Sequence, residues 1–115
     1  IKLKSVVQKY LIPFTEGFVL NLPKGSKVVR IDVVDGNPYL WALVPQEELE
    51  IVQYVFKSSK TGGVIEHEHG LVFIDTYAIF IQMELMLYVF LESIRTEDGL
   101  LIAKADEYAH SCWRC

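Results

Sequence analysis

The chain has 115 residues, 51% of them apolar and 23% charged, which is close to the composition of folded globular domains and excludes extensive disorder. Its formal net charge is −4 and its 11 Lys and Arg residues are scattered. The sequence therefore predicts no nucleic-acid polymer as a partner, because binding many phosphates needs a concentrated basic surface.

Neither a membrane segment nor an export signal is predicted. Apolar runs such as residues 85–91 are far shorter than the ~20 residues that cross a bilayer. The N-terminal stretch IKLKSVVQKY lacks the apolar core and small-residue cleavage site of a secretory signal. Two cysteines, Cys112 and Cys115, are too few for a disulfide framework, so we expect a protein of the reducing cytoplasm.

The first two predicted elements are short strands. Residues 5–12 and 18–22 are rich in β-branched and apolar side chains, and residues 15–17 (TEG) between them are typical of a turn. We therefore expect these two strands to form a hairpin.

Residues 22–44, LPKGSKVVRIDVVDGNPYLWALV, predict two further strands joined by the turn at residues 35–38. Before the turn, apolar residues alternate with Arg30 and Asp32, which indicates a strand with one polar face. After the turn, residues 39–44 are apolar on both faces, as in the central strand of a sheet.

The middle of the chain continues the same pattern. Residues 51–57 predict a β-branched and aromatic strand, and residues 58–63 (SSKTGG) predict a loop, either a plain connection or a ligand lid. Residues 64–80 predict a long strand bent at Gly70, and residues 85–91 a strand buried on both sides.

The end of the chain changes to a helical period. Thr96 is a suitable cap, acidic residues follow it, and an apolar stripe at helical spacing comprises Leu101, Ala105, Tyr108 and Cys112. We expect this helix to rest on the edge of its own domain or on another copy of the protein.

These elements together predict a mainly β fold: an antiparallel β-sandwich or open barrel of six to eight strands with a C-terminal α-helix. Residues 1–95 form the antiparallel β domain in this interpretation, and residues 96–115 form an amphipathic helical extension.

Two short motifs contain metal-ligand residue types. His67 and His69 would lie on one face of a strand, where two imidazoles could hold a metal ion if a third ligand were present, but an exposed polar strand face explains the same pattern. Cys112 and Cys115 have the spacing of a redox dithiol or of half a zinc site, or they belong to a plain chain end.

No motif for a nucleophile or a phosphate loop is present, so we predict no catalytic residue, no cofactor and no enzymatic activity. Aromatic and basic side chains could instead bind a small anionic ligand. The candidate ligand-binding residues are Arg30, Tyr39, Trp41, Tyr54, Lys57 and Arg95. The alternative is that these aromatic residues, Trp41 above all, are part of the core.

Residues 22–44, with the strand at residues 51–56 and the segments HGLVFIDTYAIF and LYVFLE, resemble an uncharacterised family of small bacteriophage and prophage β-proteins with the pattern LPKGxK…NGxPxLWALV. The similarity covers roughly residues 6–92, the later strands are more divergent, and the tail from residue 94 departs from the pattern. The resemblance implies a viral origin and a place in the host cytoplasm, and it supplies no catalytic or binding residue.

The preferred hypothesis is a non-enzymatic, self-associating binding protein that counters host defence. It would sequester a small anionic signal, such as one derived from a nucleotide, or block a host protein. The alternatives are an accessory or structural protein of the virion, and a metal-dependent enzyme that uses His67 and His69.

Overall fold

The computed structural model describes residues 2–111, which form eight β-strands and one short α-helix. The elements are β1 (Ser5–Leu11), β2 (Gly17–Pro23), β3 (Lys27–Val34), β4 (Asn37–Pro45), β5 (Ile51–Lys60), β6 (Val72–Ile81), β7 (Met83–Arg95), β8 (Leu101–Lys104) and α1 (Ala105–Ser111). The predicted fold class is confirmed: the protein is mainly β, its strands are antiparallel in two sheets, and a helix follows the last strand.

The strands divide into a small sheet and a large sheet. The small sheet has the order β1-β4-β3, so β4 lies centrally as its apolar sequence predicts. The large sheet has the order β2-β5-β7-β6, and β8 pairs with the end of β7 beyond the start of β6. The inward faces of both sheets supply one core, which includes Leu22, Leu40, Phe56 and Leu91.

The turn between β3 and β4 is the two-residue hairpin that its sequence predicts. Val34 pairs with Asn37, which leaves Asp35 and Gly36 as the loop, with φ angles of 52° and 81°. Positive φ at both positions matches the twist of antiparallel strands, and Asp-Gly adopts this conformation at low cost.

The hairpin predicted at the start of the chain is wrong. β1 pairs with β4 in the small sheet, whereas β2 pairs with β5 in the large sheet. The chain therefore crosses from one sheet to the other at residues 12–16, where Ile12 N donates to Pro38 O and Ser58 N donates to Glu16 O. Turn residues favour a change of direction but do not select the partner strand.

Two predicted element bounds also need correction. β5 continues through Lys60, into the loop predicted for residues 58–63. Residues 61–71 form a loop, although a strand was predicted from residue 64 onward. Gly70, with φ of 81°, lies in this loop, which reaches β6 only at Val72.

The predicted helix start at Thr96 is wrong as well. The Thr96 hydroxyl accepts a hydrogen bond from Leu100 N, and Thr96 O accepts one from Gly99 N, so the capping residue closes a turn between β7 and β8. Helix α1 begins at Ala105 and packs on its own domain, where Val28 N donates to the buried Tyr108 hydroxyl at 2.8 Å. Among residues 2–111, α1 is the one helix, and its seven residues cannot reach across a membrane.

Candidate functional site

The outward side of the small sheet presents a cluster that we call the aromatic face: Lys9, Arg30, Tyr39 and Trp41. Trp41 in the central strand β4 lies between Lys9 of β1 and Arg30 of β3 in the sheet register. A β-bulge at Val29 sets this alignment, because it shifts the pairing of β3 with β4 between Val28 and Arg30.

Each ring of the aromatic face has a cation over it. The Arg30 guanidinium carbon lies 5.1 Å from the centre of the Trp41 ring, and Lys9 Nζ lies 4.6 Å from the centre of the Tyr39 ring. The two rings are 6.2 Å apart and tilted by 55°. Arg30 also forms an ion pair with exposed Asp32, so its guanidinium is already oriented along the sheet. These contacts are within the range of cation–π attraction.

The aromatic face is open to solvent at its margins. Both rings are half-buried, and the neighbouring Val7, Leu11 and Val34 are 52%, 61% and 39% exposed. Trp41 therefore lies on the outer side of the small sheet, and the alternative assignment of Trp41 to the core is wrong. The alternation along β4 buries Leu40 and Ala42 in its place.

Tyr54 is the candidate that the fold removes from the surface. It is 1% exposed, its ring meets Tyr108 edge-on, and its hydroxyl donates to Ser26 O at 2.8 Å. Burial raises the pKa of the Tyr54 phenol, so the group stays neutral in the folded protein. A ligand on the surface does not reach this ring.

Lys57 and Arg95 lie together in a different place, the Glu92 cleft, a depression of about 310 Å³. Its lining consists of Lys57, Glu66, His67, Glu68, Glu92 and Arg95. The structure thus divides the six predicted ligand-binding residues into three at the aromatic face, two in this cleft and one in the core.

Glu92 is a residue that sequence reasoning missed. It is only 3% exposed and lies where the pairing of β5 with β7 shifts by one residue. Its Oε2 accepts a hydrogen bond from Glu68 N at 2.9 Å, and its Oε1 lies 3.6 Å from Arg95 Nη2. The buried carboxylate thereby holds the loop of residues 61–71 against β7. A lone carboxylate inside the apolar run LYVFLESI was the available signal.

The two histidines do not share a strand face. His67 lines the Glu92 cleft and is exposed, whereas His69 lies next to α1, where Ala105 N donates to His69 O. In residues 2–111 no group of three His, Cys, Asp or Glu side chains is placed to hold a metal ion. Cys112 and Cys115 lie outside the described residues.

An apolar cleft of about 360 Å³ lies at the β6–β7 end of the molecule and was also missed. Three exposed apolar residues line it: Phe14 from the segment that crosses between the sheets, Val64 from the 61–71 loop, and Ile81 near the turn between β6 and β7. Part of the predicted 58–63 loop lines this cleft too, through Ser58, Ser59, Lys60 and Gly63.

Comparison with known proteins gives one family match. No curated protein and no solved structure matches the chain. A family model described as a domain of unknown function, DUF7352, matches residues 4–99, which include β1 to β7 and end just before β8. Because this match covers most of the sequence, the chain belongs to the DUF7352 family.

Proposed function

We propose that this protein is a non-enzymatic binding protein that holds a planar, anionic small molecule on the aromatic face. The observation that carries the proposal is the pairing of two half-buried rings with a cation over each, on a side of the small sheet that is open at its margins. A ligand with a flat ring and a phosphate would use both kinds of group at once.

The chemistry of the aromatic face favours a nucleotide-derived ligand. A base can stack on the indole of Trp41, and such stacking contributes about 1–3 kcal/mol per base. Arg30 and Lys9 flank Trp41 in the sheet register and can contact phosphate oxygens on either side. Asp32 holds Arg30 in the free protein, so a phosphate would compete with that exposed ion pair, which is a weak interaction.

The arrangement supports binding rather than turnover. Asp32 is the carboxylate in contact with the cations of this face, and it is exposed and paired with Arg30. A general acid or base usually needs a perturbed environment and a position close to the reacting atom. We therefore assign the aromatic face a role in affinity.

The resemblance to small phage proteins supports one biological setting for this proposed binding. In that setting the protein acts in the host cytoplasm and counters defence by sequestering a nucleotide signal. A virion accessory role predicts instead that the protein co-purifies with particles. A metal enzyme built on His67 and His69 predicts stoichiometric metal in protein prepared without chelators.

A fluorescence titration tests the proposal directly. The chain has two tryptophans, Trp41 and Trp113, so replacing Trp113 with Phe leaves Trp41 as the single indole reporter. We expect ATP or cyclic di-AMP to quench this fluorescence in a saturable manner. Lys9→Gln should weaken binding about tenfold, which corresponds to about 1.4 kcal/mol for one charge-assisted contact.

Lys57→Gln is the matched control, because it removes the same charge from the Glu92 cleft and leaves the aromatic face intact. It should bind like the parent protein. Equal weakening by both substitutions, or no quenching by either nucleotide at millimolar concentration, would contradict a nucleotide site at Trp41.

A further inference from the structure

The two edges of the small sheet differ in how their backbone groups are satisfied. At the β3 edge, Val28 N donates to the Tyr108 hydroxyl at 2.8 Å and Ile31 N donates to Asp75 Oδ2 at 2.9 Å. Side chains from α1 and β6 therefore close this edge. No such contact exists at the β1 edge among residues 2–111.

β1 presents an open row of donors and acceptors. Ile12 N donates to Pro38 O, and Gln46 N donates to Lys4 O, so the even-numbered residues of this segment point their backbone groups toward β4. By alternation, the N–H and C=O groups of the odd-numbered residues point away from the sheet. These residues are Ser5, Val7, Lys9 and Leu11.

Both faces of β1 are exposed as well. All of its residues are exposed except Tyr10, which is half-buried, so even Val6 and Gln8 on the core-facing side are not covered by the large sheet. A strand with uncovered faces and an unpaired edge is a template for pairing with another strand.

β1 contains neither a proline nor a β-bulge, two features that protect edge strands from pairing. A lysine often blocks such an edge, but Lys9 Nζ lies over the Tyr39 ring on the face of its own sheet. β2, one of the two edge strands of the large sheet, is different. Lys24 N donates to Glu50 O, so alternation points the nitrogen of Pro23 outward, where proline offers no donor.

We propose that β1 pairs antiparallel with β1 of a second copy of this chain, centred on Gln8. Gln8 is the midpoint of Ser5–Leu11, so this register uses all seven residues of both strands. It places Val6 opposite Tyr10 of the second copy, which is a favourable β-branched–aromatic pair. It also places Val7 opposite Lys9 of the second copy, so no two like charges face each other. A register centred on Lys9 would place the two lysines directly opposite each other.

A second copy fits this edge because the contact is self-complementary about a twofold axis. The axis is perpendicular to the sheet and extends the three strands to six, with both aromatic faces on the same side. Three strand spacings, about 14 Å, would then separate the two β4 strands that carry Trp41. The dimer does not depend on the proposed ligand, so its test is independent of the nucleotide titration.

A cysteine at the twofold axis tests the register. In a background with Cys112→Ser and Cys115→Ser, Gln8→Cys should give a disulfide-linked dimer under mild oxidation. Gln8 faces its counterpart as a non-hydrogen-bonded pair, whose Cα separation of about 4.5 Å is within disulfide range. Asn21→Cys, at an exposed position of β2, is the matched control and should form no disulfide-linked dimer. Equal cross-linking of the two variants would overturn the proposal.

Proline substitution tests the edge itself. Val7→Pro removes an outward N–H without removing a β1–β4 hydrogen bond, so native mass spectrometry should show a dimer for the parent chain and a monomer for the variant. Val19→Pro makes the same change on β2 at similar exposure, 48% against 52%, and should remain dimeric. A monomeric parent chain at high micromolar concentration, or a dimer that survives Val7→Pro, would overturn the proposal. The cysteine cross-link decides the question even where Val7→Pro fails to fold.

Discussion

Tyr54 and Tyr77 are both buried in the core, but their hydroxyl groups are in different situations. Tyr54 Oη donates to Ser26 O, whereas Tyr77 Oη has no hydrogen-bond partner within residues 2–111. An unpaired buried hydroxyl costs free energy, while a paired one contributes modestly. Burial raises the pKa of Tyr77 from 10.0 to about 12.

Phenylalanine substitution should therefore affect the two positions in opposite directions. Tyr54→Phe should lower the free energy of unfolding by about 1 kcal/mol, because it leaves Ser26 O without its donor. Tyr77→Phe should leave it unchanged or raise it by up to about 1 kcal/mol, because it removes an unsatisfied group. Urea unfolding at neutral pH measures both, and a larger loss for Tyr77→Phe would contradict the assignment.

The same comparison has a pH signature. The pKa of Tyr77 is higher in the folded protein than in the unfolded chain, so the unfolded chain loses this proton first as the pH rises. The free energy of unfolding that is linked to this proton is therefore complete below pH 10 and is lost as the pH rises toward 12. Tyr77→Phe removes this loss, and its stability relative to the parent should increase between pH 10 and pH 12.

At the level of strands, Asp75 joins the two sheets. Its Oδ2 accepts the hydrogen bond from Ile31 N of β3, and its Oδ1 accepts one from Thr76 N of its own strand. Asp75 follows Ile74, where the pairing of β6 with β7 shifts by one residue, and such a bulge redirects the following side chain. One carboxylate thus satisfies a backbone donor of the opposite sheet.

Removal of this carboxylate should weaken the contact between β3 and β6, which joins the two sheets. Asp75→Ala leaves Ile31 N without its acceptor and should lower the unfolding free energy by about 1–3 kcal/mol. Asp75→Asn keeps one acceptor oxygen and should lower the unfolding free energy by less than Asp75→Ala does. Amide hydrogen exchange should show faster exchange at Ile31 in the alanine variant only. Unchanged exchange of the Ile31 amide would mean that a group other than Asp75 accepts its hydrogen bond.

Over the whole molecule, the C-terminal elements are packed into the β domain. β8 continues the large sheet beside β7, and Tyr108 of α1 is 2% exposed, with its hydroxyl bound to β3. The family match ends at residue 99, before these elements begin. The division into residues 1–95 and 96–115 stays a prediction, and these contacts make it testable.

Truncation after Lys104 tests that division. The shortened chain loses Tyr108 from the core, and deleting a large buried aromatic side chain costs about 3–5 kcal/mol. We therefore expect the truncated chain to unfold at a clearly lower urea concentration. Tyr108→Phe removes only the hydroxyl that accepts the hydrogen bond from Val28 N, so it should lower the free energy of unfolding by only about 1 kcal/mol. A truncated chain as stable as the parent would support a separable extension.

Alternation and turn chemistry in the sequence determined much of the fold. Asp35-Gly36 predicts its hairpin, residues 39–44 predict a central strand, and the absence of helical crossovers predicts antiparallel sheets, because these depend on local sterics and on period-2 burial. Of the candidate site, the sequence identified Arg30, Tyr39 and Trp41 as residue types suited to a ligand but did not place them together.

Only the tertiary structure decided which strands pair and which faces remain uncovered. β1 and β2 join different sheets, Trp41 lies outside while Tyr54 lies inside, and buried Glu92 accepts a hydrogen bond from the 61–71 loop at Glu68 N. Each outcome depends on contacts between residues far apart in the chain. A period-2 pattern shows that a strand has two different faces, but the packing of the second sheet decides which face is buried.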